Sequence, residues 1–248
     1  MMAEMVRRTP MWSAEERPVR IASGSVTLDG DLGLPAVGRG AVLFAHGSGS
    51  GRHSPRNRAV ARALRASGQA TLLLDLLTPE EEAIDLHTRH LRFDIGLLAG
   101  RLVGAMDWLA RQAVTADLRI GLFGASTGAG AALVAAAERP HLAAAVVSRG
   151  GRPDLAGAAL PRVGAPTLLI VGGADEPVIA LNRAALAQLR AVGELVIVPG
   201  ATHLFEEAGA LDEVARLAAD WFARHLGPGG PASPSRSVES QVPPPGPT

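Results

Sequence analysis

Residues 118–130 read LRIGLFGASTGAG. An apolar run, Ile120, Leu122 and Phe123, meets Gly124-Ala125-Ser126-Thr127-Gly128, and an alanine-rich segment with helical character follows. That order is strand, tight turn, helix, with a G-x-S-x-G at the turn. A turn this sharp holds its central residue in a strained backbone conformation with the side chain projecting outward. The flanking positions must be small because strand and helix backbones nearly touch, and Gly124 and Gly128 meet that demand. Ser126 is therefore the candidate nucleophile, and the rest of the chain has to supply the partners that a serine requires.

The segments around this turn alternate strand with helix. Ala41–Ala45, Ala70–Leu74, Arg119–Phe123, Leu142–Val147, Thr167–Val171 and Glu194–Val198 are short apolar runs, as expected for strands buried on both faces. Helical spacing fills 57–67, 93–110, 127–138, 179–190 and 211–225, while the stretch containing Glu80-Glu81-Glu82 reads only as polar. Upstream, 19–23 and 25–34 carry partial alternation, and Asp29-Gly30 is a hairpin-turn signal, which predicts antiparallel strands at a sheet edge. Strands alternating with helices predict an α/β chain with a mostly parallel sheet covered on both faces. Residues 1–17 read as a lead-in, 18–226 as one α/β domain, and 227–248, rich in Pro, Gly and Ser, as a disordered tail too poor in apolar residues to build a core.

In such sheets chemistry collects at the carboxyl ends of the strands. A serine hydroxyl needs a general base, and the base needs a carboxylate to fix its tautomer. Beyond three of the strand ends lie Ser126, then Asp175, then His203, the order Ser…Asp…His. Glu176 and Asp154 are rival acids without the same strand-end position, and His87, His90, His141 and His225 are weaker rival bases. The oxyanion of an acyl-transfer intermediate needs two N–H donors. Thr127, after the nucleophile, offers one at a helix N-terminus. Ser48, in His46-Gly47-Ser48 after the first buried strand, is placed to offer the other, with His46 shaping the loop. Arg52, Arg56, Arg149 and Arg152 fall in loops at the same rim. Arg52 and Arg149 are candidates for binding a substrate carboxylate, the alternative being ion pairs with loop acids such as Asp154 or Glu80–Glu82.

Composition closes several other routes. Twenty-four Lys plus Arg balance twenty-four Asp plus Glu, which argues against nucleic acid or a membrane surface as a partner. No Cys is present, so thiolate metal sites are excluded, and no metal or other cofactor is expected. Apolar runs are too short to span a bilayer, and the first residues lack the apolar stretch of a secretory signal, which predicts a cytoplasmic protein. Ala41–Ala45, Gly47-Ser48-Gly49 and the strand ending at Asp75 imitate a dinucleotide site, but Arg52 holds the third glycine position. The chain contains neither Tyr nor Lys, which removes a Tyr–Lys dehydrogenase pair and a P-loop lysine.

The segments AVLFAHGSGSGR (41–52), GLFGASTGAG (121–130), SRGGRPD (148–154), LLIVGGADEPV (168–178) and PGATHLFEE (199–207) give the sequence a resemblance to the α/β-hydrolase superfamily, and within it to the dienelactone hydrolase-like group. The resemblance covers about 19–226 and implies that the domain at 18–226 is an α/β-hydrolase domain. It implies an eight-stranded, mostly parallel sheet and hydrolysis through an acyl-enzyme. The enzymes that name the group use a cysteine nucleophile, and Ser126 stands at that position here. The expected activity is therefore a serine hydrolase acting on a small carboxylic ester or lactone. Dienelactone-type lactonase, thioesterase or acyltransferase activity, and a binding protein without catalysis, are the alternatives.

Overall fold

The computed structural model describes residues 16–227 and 238–241. Two antiparallel strands, β1 (Glu16–Ser23) and β2 (Val26–Gly33), lead into β3 (Gly40–Ala45) and then a run of alternating helices and strands. These are α1 (Pro55–Ala66), β4 (Gln69–Leu74), α2 (Pro79–Thr88), α3 (Ile95–Leu109), β5 (Ile120–Ala125), α4 (Thr127–Glu138) and β6 (Ala143–Arg149). A kinked 3-10 segment at Pro153–Arg162 precedes β7 (Thr167–Gly172), α5 (Glu176–Leu186), β8 (Gly193–Val198) and α6 (Ala210–Leu226). The sheet order is β1-β2-β4-β3-β5-β6-β7-β8, parallel from β4 onward, which is the expected eight-stranded arrangement.

Every residue of β3, β4, β5 and β7 is buried, because helices cover both faces and no solvent side remains to favour alternation. Leu43, Leu72, Leu122 and Leu169 pack on one face with α3 and α4 residues such as Leu102 and Leu133. Phe44, Phe123, Val147 and Ile170 pack on the other against α1 and α6, where Trp221 and Phe222 are fully buried. Each such side chain contributes roughly 1.5–3 kcal/mol by leaving water. The result is a rigid sheet whose carboxyl rim carries the loops of interest.

Two local readings change. The β1–β2 turn falls at Gly24-Ser25, not at Asp29-Gly30, which sits mid-ladder with Gly30 opposite Val19. The two-residue turn needs a positive φ, and Gly24 supplies it at 59°. Gly30 is instead small because a Cβ there would come within 3.1 Å of the Leu73 carbonyl oxygen. The polar stretch at 79–88 is helix α2, started by Pro79 and by a capping box in which Thr78 and Glu81 bond each other's backbone. Its inward residues are charged. Glu81 meets Arg101 at 2.6 Å and Asp85 pairs with Arg92, while Ile84 and Leu86 face outward.

At both ends of the chain described residues depart from the expected lead-in and disordered tail. Within the expected lead-in, Glu16 and Arg17 belong to β1, and residues 1–15 lie outside the described residues. Within the expected tail, Val238–Gln241 forms a ninth strand, β9, parallel to β8 across Glu194–Ile197. That pairing is made by backbone groups, so the Pro- and Ser-rich composition around it does not announce it. The rest of the tail beyond Gly227 lies outside the described residues.

Candidate active site

β5 ends at Ala125, and α4 begins two residues later, so the chain must reverse at Ser126. Ser126 does so at φ 50°, ψ −123°, a conformation costly for a side-chain-bearing residue and retained at functional turns. Its amide donates to the Arg149 carbonyl oxygen at 3.3 Å. It makes no side-chain cap to its own helix, which leaves Oγ free. Neighbours press close. A Cβ on Gly124 would overlap the Ala129 backbone, and one on Gly128 would overlap the Ala45 and His46 carbonyl oxygens.

Asp175 lies where β7 passes into α5. It occupies the N-cap position without capping the helix, because its carboxylate is directed elsewhere. His203 lies in the loop after β8. Gly172 allows the two loops to back onto each other, since a Cβ there would overlap the Ala201 carbonyl oxygen. The Ala174 amide donates to that same oxygen at 3.0 Å. His203 Nδ1 then meets Asp175 Oδ2 at 2.7 Å, and His203 Nε2 meets Ser126 Oγ at 3.3 Å. With Nδ1 protonated and donating to the carboxylate, Nε2 is the acceptor facing the serine hydroxyl. Residues 126, 175 and 203, far apart in sequence, are thus brought together in one relay.

Two of the rival groups, Asp154 and His225, are engaged elsewhere. Asp154 is bound by Arg152 through two bonds of 2.8 and 2.7 Å. His225 packs on Trp221, with ring centroids 4.4 Å apart. His46 is half-buried, and its Nδ1 donates to the Gly47 carbonyl oxygen at 2.9 Å while Nε2 accepts from the Leu76 amide at 3.0 Å. Burial lowers its pKa below the usual imidazole value, outweighing the Gly47 bond and the nearby acids that act to raise it. It is a neutral strut for the loop that follows β3. Below about pH 6.5 an unfolded His46 takes up a proton that the folded form resists. Its contribution to stability is therefore complete above that pH and is lost as pH falls toward the lowered value. Thermal melts from pH 7.5 to 5 should show that decline, and His46→Gln should flatten part of it; an unchanged slope would remove His46 as a cause.

The loop held by His46 brings Gly47 against the nucleophile, where a Cβ would come within 3.1 Å of Ser126 Cβ. The Ser48 amide does not stand free. It donates to Thr127 Oγ1 at 3.0 Å. A cleft beside it is lined by His46, Ser48, Ser50, Leu77, Arg92 and Thr127.

The arginines separate. Arg52 pairs with Asp75 and lies 3.7 Å from Asp31 and 3.9 Å from Asp29. It is neutralised by carboxylates within the fold, which answers its charge without a ligand. Arg56 pairs with Glu206 at 3.0 Å. Arg149 is 7% exposed, yet its bond is to a neutral group, Asn57 Oδ1, at 3.4 Å, and its Nε has no partner. Its guanidinium lies over the Phe205 ring at 6.0 Å. Burial first, and then the charge of Arg56, push its pKa down to about 10. Asn57 had no signal in the sequence beyond helix start. Among the described residues no cluster of three or more His, Asp or Glu could hold a metal ion, and no helix is long and apolar enough to cross a membrane.

Comparison with known proteins agrees with this architecture. Residues 69–226 match the model of the dienelactone hydrolase family. The chain is 65% identical to a dienelactone hydrolase from Anabaena variabilis, with a TM-score of 0.84, covering 86% of this chain and 98% of that one. It is 58% identical over 215 residues to a Mycobacterium tuberculosis protein that carries a provisional phosphoribosyl transferase name. That match covers 86% of this chain but 48% of the relative, so the chain spans about half the length of its curated relatives. Est1E from Butyrivibrio proteoclasticus, 16% identical, shares the fold at a TM-score of 0.68 over 83% of this chain and 99% of its own. With a family model spanning β4 to α6 and a close match along nearly the whole of the Anabaena structure, the chain belongs to the dienelactone hydrolase family and has its α/β-hydrolase fold.

Proposed function

We propose that the protein is a serine hydrolase that cleaves a small carboxylic ester or lactone through an acyl-enzyme on Ser126. The observation that carries this reading is the relay from Ser126 Oγ through the His203 ring to Asp175, at 3.3 and 2.7 Å. His203 takes the hydroxyl proton as Ser126 attacks the carbonyl carbon, and returns it to the leaving alcohol. Asp175 holds the imidazole in the tautomer that accepts at Nε2 and stabilises the imidazolium. Water, activated by the same nitrogen, then releases the acid. The Thr127 amide, at the head of α4, is the first oxyanion donor, and the Ser48 loop contributes to the second. Labelling by a fluorophosphonate probe, together with turnover of a panel of p-nitrophenyl esters and lactones, tests the reading. A protein that neither labels nor turns over any of them would overturn it. The phosphoribosyl transferase name belongs to relatives about twice as long, and the relay described here is one for acyl transfer.

Arg149 is the substrate-binding arginine in this reading, and Arg52 is not. A buried guanidinium without a carboxylate partner among the described residues is held at a cost that an acidic substrate group would offset. Arg149→Met should lower the ratio of kcat/KM for a carboxylate-bearing ester over its neutral analogue by about tenfold or more, the worth of one charge-assisted bond. An unchanged ratio would return Arg149 to a purely packing role.

A further inference from the structure

We propose that the side-chain hydroxyl of Thr127 is a donor to the oxyanion, held and polarised by the Ser48 amide. The inference rests on the serine-hydrolase reading above. An oxyanion hole built from two backbone amides would leave the Ser48 N–H pointing into open space beside Ser126. Instead its acceptor is Thr127 Oγ1 at 3.0 Å. The amide that the sequence assigns to the oxyanion is thus already taken by the hydroxyl oxygen.

A hydroxyl has one proton and two lone pairs. One lone pair of Thr127 Oγ1 is taken by Ser48, and among the described residues its own proton has no acceptor. A threonine inside a helix commonly gives that proton to the carbonyl four residues earlier. Thr127 is the first residue of α4, and four residues earlier is Phe123, inside β5. The usual local acceptor is therefore missing. Thr127 is 4% exposed, yet it lines the cleft with His46, Gly47 and Ser48. The proton is buried, free to turn about the Cβ–Oγ bond, and beside the nucleophile.

The surroundings fix this geometry. His46 ties the loop to Leu76, Gly47 packs on Ser126, and Gly128 packs on the Ala45 and His46 carbonyl oxygens. Donation from Ser48 into the hydroxyl oxygen strengthens the bond that the hydroxyl makes through its own proton. When Ser126 Oγ bonds to the carbonyl carbon, the carbonyl π electrons pass to oxygen and His203 receives the serine proton. The new oxyanion then accepts from the Thr127 N–H and from the Thr127 O–H. No bond to Thr127 forms or breaks. One residue supplies both donors, and Ser48 acts through it.

Thr127→Val keeps the shape and removes the hydroxyl, while Thr127→Ser keeps the hydroxyl. With p-nitrophenyl acetate, T127V should lower kcat about 10–100-fold with KM changed by less than about twofold, as for loss of one oxyanion donor. Phenylboronic acid, whose adduct on Ser126 mimics the tetrahedral intermediate, should bind T127V more weakly by a similar factor. T127S should recover both quantities to within about fivefold. If T127V turns over at the wild-type rate, the released Ser48 amide is itself the donor and the proposal is overturned. Equal losses in T127V and T127S, with melting temperatures unchanged, would also overturn it, since the hydroxyl would not be what matters. Ser126→Ala, assayed alongside, separates the two claims. Its inactivity with an unimpaired T127V defeats this inference and leaves the serine reading standing, whereas an active Ser126→Ala defeats both.

Discussion

Ser126→Ala is expected to lower kcat by about 10⁴-fold or more while leaving the melting temperature within a few degrees of wild type. His203→Ala should do the same, and the double variant should be scarcely worse than either alone. The reason is that the two side chains act as one unit. On the proposed mechanism no acyl-enzyme forms without the hydroxyl, and without Nε2 the hydroxyl keeps its proton. Asp175 adds to the unit by holding Nδ1 at 2.7 Å. None of the three is a large buried apolar group, so little packing is lost with it. Steady-state kinetics on p-nitrophenyl acetate, with circular dichroism on the same samples, gives the answer. Near-normal turnover by either single variant would mean that the nucleophile or the base is a different residue.

This relay was legible in the sequence because each member follows a strand that must be buried. Ile120–Phe123, Thr167–Val171 and Glu194–Val198 have no polar residue to show to water on either side except near their ends, so their carboxyl ends could be located within a residue or two. The helices were legible to the degree that their buried faces are apolar. α2 escaped because its inward side chains are Glu81 and Asp85, matched by Arg101 in α3 and by Arg92 just beyond the helix. Charged inward positions paired outside the helix leave no apolar periodicity to read. The Thr78-Pro79 start and Glu81 were the signals available. The roles of the arginines were out of reach for the same reason. Only the fold shows that Arg52 meets three carboxylates and that Arg149 meets none among the described residues.

Gly128→Ala is expected to have the largest effect on stability. A methyl group at this position would overlap the Ala45 and His46 carbonyl oxygens, which are backbone atoms at the end of β3 and cannot rotate away. To admit it, α4 must lift from the sheet or the loop carrying Ser48 must move. Overpacking of this kind costs about 3 kcal/mol or more. Against a total of roughly 5–15 kcal/mol, that is a large share. For a domain of this size it corresponds to a fall in melting temperature of roughly 6–12 °C. Activity should fall too, since the same displacement separates Ser48 from Thr127. A variant melting within a degree or two of wild type would show that the turn yields more readily than the contacts imply.

The strand made by residues 238–241 has a bearing on how the molecule behaves in company. A β-sheet ends on each side in a row of unanswered amide and carbonyl groups, and such a row can recruit a strand from a neighbouring molecule. β8 would present that row along Glu194–Ile197, and β9 lies across it. Its ladder asks little of side-chain chemistry, which is how a sequence so poor in strand-forming residues can serve. With β9 in place, the outermost row on this side belongs to a four-residue strand instead of the six-residue β8. A chain trimmed after Gly227 would keep Ser126, His203 and Asp175 in place and expose the longer edge of β8.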